Sequence, residues 1–115
     1  MLRRSLAAAA LITALAGAAP ALADTSVLFG NTLQVTHAGK TGKVYVDQGG
    51  TYTQVKADGS KVSGTWTDTG GKFCLTQTAP QPVAARCMPA ITQNVGDTWT
   101  AGPGGAMTLS IVKGR

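Results

Sequence analysis

The chain has no glutamate, one histidine and two cysteines, and only 13% of its 115 residues are charged. Each shortage excludes something. One His and two Cys cannot build a closed zinc site of the Cys/His type. Sparse charge argues against a coiled coil or a charge-driven disordered tail. The acids are five aspartates. Four of them (Asp24, Asp58, Asp68, Asp97) lie in or beside glycine-containing turns or at the expected start of the mature chain, and turn chemistry accounts for Asp58 and Asp97. Nothing brings two carboxylates into one cleft, as a paired-carboxylate glycosidase requires. No Gly-x-Ser-x-Gly element surrounds a serine, and the lone His37 falls on a candidate strand. No catalytic residue, metal ligand or cofactor site is nominated, and the chain is read as a non-enzyme.

What is present begins with an export signal. Residues 1–23 carry Arg3 and Arg4, then an apolar stretch from Leu6 to Ala19, then Pro20 and the small-x-small step Ala21-Leu22-Ala23. That is the layout of a secretory signal peptide. The apolar run is about 14 residues, short of the roughly 20 that span a bilayer, and no second run follows. Residues 24–115 are therefore expected as a single small β domain, periplasmic or secreted, monomeric and without a stable membrane span. Removal of Arg3 and Arg4 leaves eight basic residues against five aspartates, so the formal charge falls from +5 to +3.

Export to an oxidising compartment gives Cys74 and Cys87 a use as a disulfide. A bridge between them closes a loop worth on the order of 3 kcal/mol in the chain-entropy account. Their spacing is not that of a Cys-x-x-Cys redox pair.

Gly, Thr and Val dominate the mature chain, with turn dipeptides about every ten residues, the signature of an all-β domain. Strands are expected over Thr32–His37, Lys43–Gln48, Thr51–Lys56, Lys61–Thr67, Lys72–Thr78, Ala85–Thr92, Asp97–Ala101 and Ala106–Lys113. Turns are expected at Gly49-Gly50, Asp58-Gly59, Thr69-Gly70 and Pro103-Gly104-Gly105. The connections are too short for parallel crossovers, so the fold is expected as an antiparallel meander of about eight short strands, a small barrel or a rolled sheet. If the three central turns are two-residue hairpin loops, Val44, Val46, Val55, Val62, Trp66, Phe73 and Leu75 share the core face. Met107, Leu109 and Ile111 alternate as inward residues, and Trp99 joins the core. The opposite face then carries Lys43, Tyr45, Tyr52, Lys56, Lys61 and Cys74.

On that register Lys43, Lys56 and Lys61 form a row across three strands, with Tyr45 and Tyr52 beside it. Like charges directly opposite one another repel, so the row either splays into solvent or meets an anion. Ammonium groups beside amphipathic rings suit an anionic component of the envelope, such as a glycan, a phosphate-bearing polymer or a nucleic-acid strand. The plainer account is a solvated edge whose lysines keep the sheet monomeric.

The step Gly64-Thr65-Trp66 on a β-meander resembles the Gly-x-Trp step of lipocalin-like and avidin-like barrels, which hold small ligands inside. There the step sits on the first strand; here it lies mid-chain. Together with Asp58-Gly59, Cys74-Leu75 and Gly96-Asp97-Thr98-Trp99, it is similar to small exported proteobacterial proteins of unknown function. The resemblance implies a compartment and a fold class. Three readings follow: an exported non-catalytic binding protein of the bacterial envelope, with an anionic ligand on the lysine row; a periplasmic inhibitor of a lysozyme-type hydrolase; and a lipocalin-like small-ligand carrier. A charge of +3 works against an inhibitor of a cationic target.

Overall fold

The computed structural model describes residues 24–115, and the expected signal peptide over 1–23 lies outside them. The strands are β1 (Thr32–His37), β2 (Lys40–Val46), β3 (Thr51–Val55), β4 (Lys61–Thr69), β5 (Lys72–Ala79), β6 (Arg86–Pro89), β7 (Thr98–Ala101) and β8 (Met107–Val112). They form one sheet in the order β6-β5-β4-β3-β2-β1-β8-β7, with every pairing antiparallel. The expected eight-strand meander is present. The pairing of β1 with β8 carries the sheet past the first strand and places β6 and β7 at its two ends. Pro89 of β6 and Trp99 to Ala101 of β7 line a common cleft, so the sheet rolls into a nearly closed barrel with a seam between those strands.

The hairpin turns set which residues face inward; all three central turns differ from expectation, two of them in a way that changes a strand's face. Between β2 and β3 the Asp47 N–H donates to the Thr51 carbonyl at 2.9 Å, around the three-residue loop Gln48-Gly49-Gly50. Between β3 and β4 the Lys56 N–H donates to the Ser60 carbonyl at 2.8 Å, around Ala57-Asp58-Gly59. In each loop only the last residue, Gly50 or Gly59, has a positive φ. A two-residue type I′ turn needs positive φ at both positions, whereas a type I turn closed by one left-handed glycine makes a three-residue loop. Asp58-Gly59 and Gly49-Gly50 are of the second kind. The third turn is centred on Gly70-Gly71, both with positive φ, one residue beyond the expected Thr69-Gly70. It joins Thr69 to Lys72 and sets Trp66 opposite Leu75 and not Phe73, a shift of two residues that leaves the faces unchanged.

Each extra loop residue slips the register by one, which exchanges the faces of a strand. Two slips, one on either side of β3, cancel everywhere except in β3 itself. Val44 and Val46 therefore pair with Gln54 and Tyr52, not with Val55 and Thr53, and Gln54 and Tyr52 pair in turn with Val62 and Gly64. Val55, expected in the core, lies on the outer face between Lys43 and Lys61. Tyr52, expected outside, is 2% exposed.

The remaining core follows the alternation. Leu33, Val44, Val46, Val62, Phe73, Leu109 and Ile111 are buried, with Trp66, Leu75, Trp99 and Met107 packed against them. Leu28 and Ile91 complete the core from outside the sheet. Leu28 ends the 3-10 turn Thr25–Leu28, whose cap Asp24 accepts the Ser26 N–H. Ile91 lies where a continuing strand was expected. The chain leaves the sheet after Pro89, because the Ala90 N–H donates to Gly71 and the Ile91 carbonyl accepts from the Asp24 N–H.

Cys74 and Cys87 are directly opposed partners of β5 and β6 and form a disulfide. Phe73 and Leu75 point inward, so the bridge lies on the outer surface, closing the proline-containing loop between the two strands. Gly64 has a separate reason to be glycine. One extra residue, Thr78, is accommodated on β5 opposite the Ser63–Gly64 step, a β-bulge that bends the strand. A Cβ on Gly64 would stand 1.9 Å from the Thr76 carbonyl oxygen.

Candidate functional site at the open end of the barrel

The inward positions change character along the barrel axis. At one end, where β1 begins and β2 stops, they are Leu33, Val46, Trp66, Phe73 and Ile111. At the other they are His37 of β1, Lys40 and Gly42 of β2, Gln54 of β3, Arg86 of β6 and Met107 of β8, with Lys56 just past β3. Every inward strand position shares a parity with its cross-strand partner. The difference therefore lies in side-chain type alone.

The first end is plugged. Phe29, Trp66 and Phe73 stack in sequence, with ring centroids 5.9 and 6.1 Å apart, within the range in which tilted aromatic pairs attract. The Trp66 Nε1–H donates to the Asp47 carbonyl at 2.7 Å. The Thr25 hydroxyl donates to the Asp68 carboxylate, holding the 3-10 turn across the barrel end. Arg115 closes the outside of the same end: it pairs with Asp47 at 2.8 Å, donates to the Val46 carbonyl at 2.7 Å and lies 5.5 Å from the Tyr45 ring centroid.

The second end is open. A cavity of about 120 Å³ lies inside the barrel, walled by Leu33, Val35, Val44, Leu75, Met88 and Met107, with Tyr52, Gln54 and Arg86 as its polar lining. Val35, Gln54, Arg86 and Met107 also line the wider mouth above it, together with His37, Lys40 and Lys56. Eight strands enclose an interior just wide enough for side chains or for one small ligand. The slender Val35 bounds the cavity at this end, while Gly42 lies at the mouth, where a Cβ would stand 3.0 Å from the Val55 carbonyl oxygen.

The electrostatics of the mouth are one-sided. No acidic side chain lines it. The acid of the neighbouring turn, Asp58, accepts from the Ser60 hydroxyl at 2.6 Å and from the Ser60 N–H at 2.9 Å. The Ser60 hydroxyl, and then the Ser60 N–H, hold its carboxyl below the usual range. Arg86 has no ion pair among the described residues, where the Arg115–Asp47 pair stands alone. Burial raises the Tyr52 phenol above the ordinary tyrosine value, and the positive charge of Arg86 works against that rise. Tyr52 is thus a neutral hydroxyl at physiological pH, within the field of a guanidinium.

The five residues expected as a binding surface are divided by the barrel wall. Lys43, Tyr45 and Lys61 are on the outer face, where Val55 separates the two lysines and Arg115 covers Tyr45. Lys56 lines the mouth and Tyr52 lies inside, so the row of three lysines does not form. The one-residue loop extensions on either side of β3 are the cause. The strand histidine His37 turns out to be a mouth residue. Arg86, Gln54 and Lys40 escaped the sequence reading, although one signal for Arg86 was available. A cross-strand disulfide with Cys74 facing outward places the residue before Cys87 opposite Leu75, which faces inward.

Among the described residues no group of three His, Cys or Asp side chains is placed to hold a metal ion, and no helix is long and apolar enough to cross a membrane. Comparison with protein-family models, with curated proteins and with solved structures finds no match for the chain. Fold and site together define a small, nearly closed, disulfide-pinned β-barrel with one plugged end and one open, basic end.

Proposed function

We propose that the protein is an exported, non-catalytic binding protein that takes a small ligand through the basic end of its barrel. The observation that carries this reading is the apolar cavity of about 120 Å³ sharing four wall residues with a mouth lined by His37, Lys40, Lys56 and Arg86. Concave, mostly apolar sites with a few convergent polar groups are where small ligands bind. Positive charge at the mouth raises the local concentration of anions. The reading joins two of the expectations from sequence, an anionic ligand and a barrel interior that holds it, and moves the anion from the outer face to the barrel end. The disulfide supports export, since such bridges persist in oxidising compartments.

The test is whether the interior admits a guest. Benzene added to protein carrying ¹³C-labelled methyl groups should shift the methyl resonances of Leu33, Val35, Val44, Leu75, Met88 and Met107. Those of Leu28 and Val46 at the plugged end should stay in place. Shifts spread evenly over both sets, or none at saturating benzene, would overturn the reading.

A further inference from the structure

The polar atoms of the cavity carry information about the ligand beyond its size. Tyr52 is 2% exposed, yet its hydroxyl makes no hydrogen bond among the described residues, whereas a buried phenol ordinarily finds a partner. No side-chain nitrogen or oxygen that is sealed from solvent is left without a partner there. The Tyr52 hydroxyl therefore faces open space, and the space that its residue lines is the cavity. Gln54, half-buried, lines both the cavity and the mouth and likewise makes no side-chain hydrogen bond among the described residues. Arg86 is the only charged residue lining the cavity; it is exposed and stands where the cavity meets the mouth. It supplies a planar fork of N–H donors that matches a carboxylate in two parallel hydrogen bonds.

We propose that the cavity receives a small monocarboxylate of about the size of benzoate, its apolar part among Leu33, Val44, Leu75 and Met88 and its carboxylate on Arg86, with the Tyr52 hydroxyl and Gln54 amide as further donors. The proposal rests on the binding reading above and names the ligand class for that same site. Volume sets the size: an apolar protein cavity of about 150 Å³ holds benzene, and one of about 120 Å³ is too small for a long acyl chain. Charge sets the head group. One guanidinium is neutralised by one negative charge, and the other two donors on the wall are neutral. The fork of Arg86 fixes two carboxylate oxygens at once, and Lys40 and Lys56 line the same mouth as Arg86, so phenyl phosphate is the competing head group that the test must separate. An uncharged ligand of the same shape would fill the cavity but leave Arg86 without its partner.

Three probes with one ring separate these cases: benzoate, benzyl alcohol and phenyl phosphate, titrated by calorimetry and by the methyl shifts described above. Benzoate should bind at least tenfold more tightly than either of the other two. Arg86→Gln should weaken benzoate at least tenfold and so remove that advantage, and a methyl spectrum of the free variant that overlays the parent's shows that the variant keeps its fold. Tyr52→Phe should weaken benzoate several-fold and benzyl alcohol less. Equal binding of benzoate and benzyl alcohol, a preference for phenyl phosphate, or a benzoate advantage that survives Arg86→Gln would overturn the proposal. If benzene shifts the cavity methyls in such a case, only the assignment of the head group falls. If benzene shifts none, the cavity reading falls with it.

Discussion

The plugged and open ends of the barrel are built from the same strands, with the same inward parity, and they differ in two respects. One is side-chain type: Phe73, Trp66 and Val46 fill one end, while His37, Lys40, Gly42 and Arg86 stand at the other. The second is what the chain does outside the sheet. The 3-10 turn with Leu28, and the Ile91 segment that hydrogen-bonds Asp24, both fold over the plugged end, whereas Ala57, Pro103 and Ala106 only line the rim of the mouth. Charge follows the same division. Asp24, Asp47, Asp68 and Asp97 belong to the plugged end, leaving Asp58, bound to its own turn serine, as the sole acid near Lys40, Lys56, Lys61 and Arg86. A barrel of this size gains a ligand-sized interior by withholding bulk and acid from one end, with no change of backbone plan.

The sharpest break of this comparison is a truncation made at each end. Phe73 is fully buried against Trp66, so Phe73→Ala should lower the unfolding free energy by about 3–5 kcal/mol. Met107→Ala, beside the mouth, should cost clearly less in the same denaturant titration, because part of its surroundings is already empty. Equal losses would mean that the two ends are equally well packed.

Enlargement sharpens the contrast from the other side. Val46→Phe forces extra volume into a filled end and should cost about 1–3 kcal/mol. Leu75→Phe points toward the cavity and should change stability by less than about 1 kcal/mol, while displacing benzene from the methyl spectrum. A heavy stability loss in Leu75→Phe would show that the interior is not open at that wall.

The smallest effect is electrostatic. Tyr52 should ionise above the ordinary tyrosine range in an absorbance titration at alkaline pH, and Arg86→Gln should move that ionisation higher still, because the guanidinium now opposes the effect of burial. A phenol whose folded pKa is raised contributes stability that is present below its unfolded pKa and lost as pH rises through the folded value. Stability should thus fall on the alkaline side. Ionisation unaffected by Arg86→Gln would separate the two groups and weaken the picture of a shared polar wall.

Much of the fold is written locally. Val44/Val46, Phe73/Leu75 and Met107/Leu109/Ile111 alternate with polar residues, and their faces follow from period two alone. With only two cysteines in the sequence, the disulfide has one partner choice. The segment Thr51–Lys56 is different, because Thr-Tyr-Thr-Gln-Val-Lys can present either face as apolar, through Tyr52 or through Val55. Its orientation depends on whether Gly50 and Gly59 end three-residue loops. Neighbouring hairpins agree with one another on either register, since two slips of the same size cancel in every strand but the one between them. Arg86 was hidden for a related reason: β6 is four residues long and carries no alternation of its own, so its facing is inherited from β5 through the disulfide pair.

The sequence by itself determined an all-β chain, its hairpin order, the Cys74–Cys87 pair and most of the buried face, because turns, alternation and cysteine count are properties of residues close together or few in number. Only the tertiary structure decided that the barrel has a plug and a mouth. That outcome needs β1 to pair with β8, residues 24–31 to fold against residues 90–97, and a single extra residue in each of two loops to turn Tyr52 inward. Contacts between segments so far apart leave no periodic trace in either segment, and a one-residue change in a loop alters a whole strand while altering almost nothing in its composition.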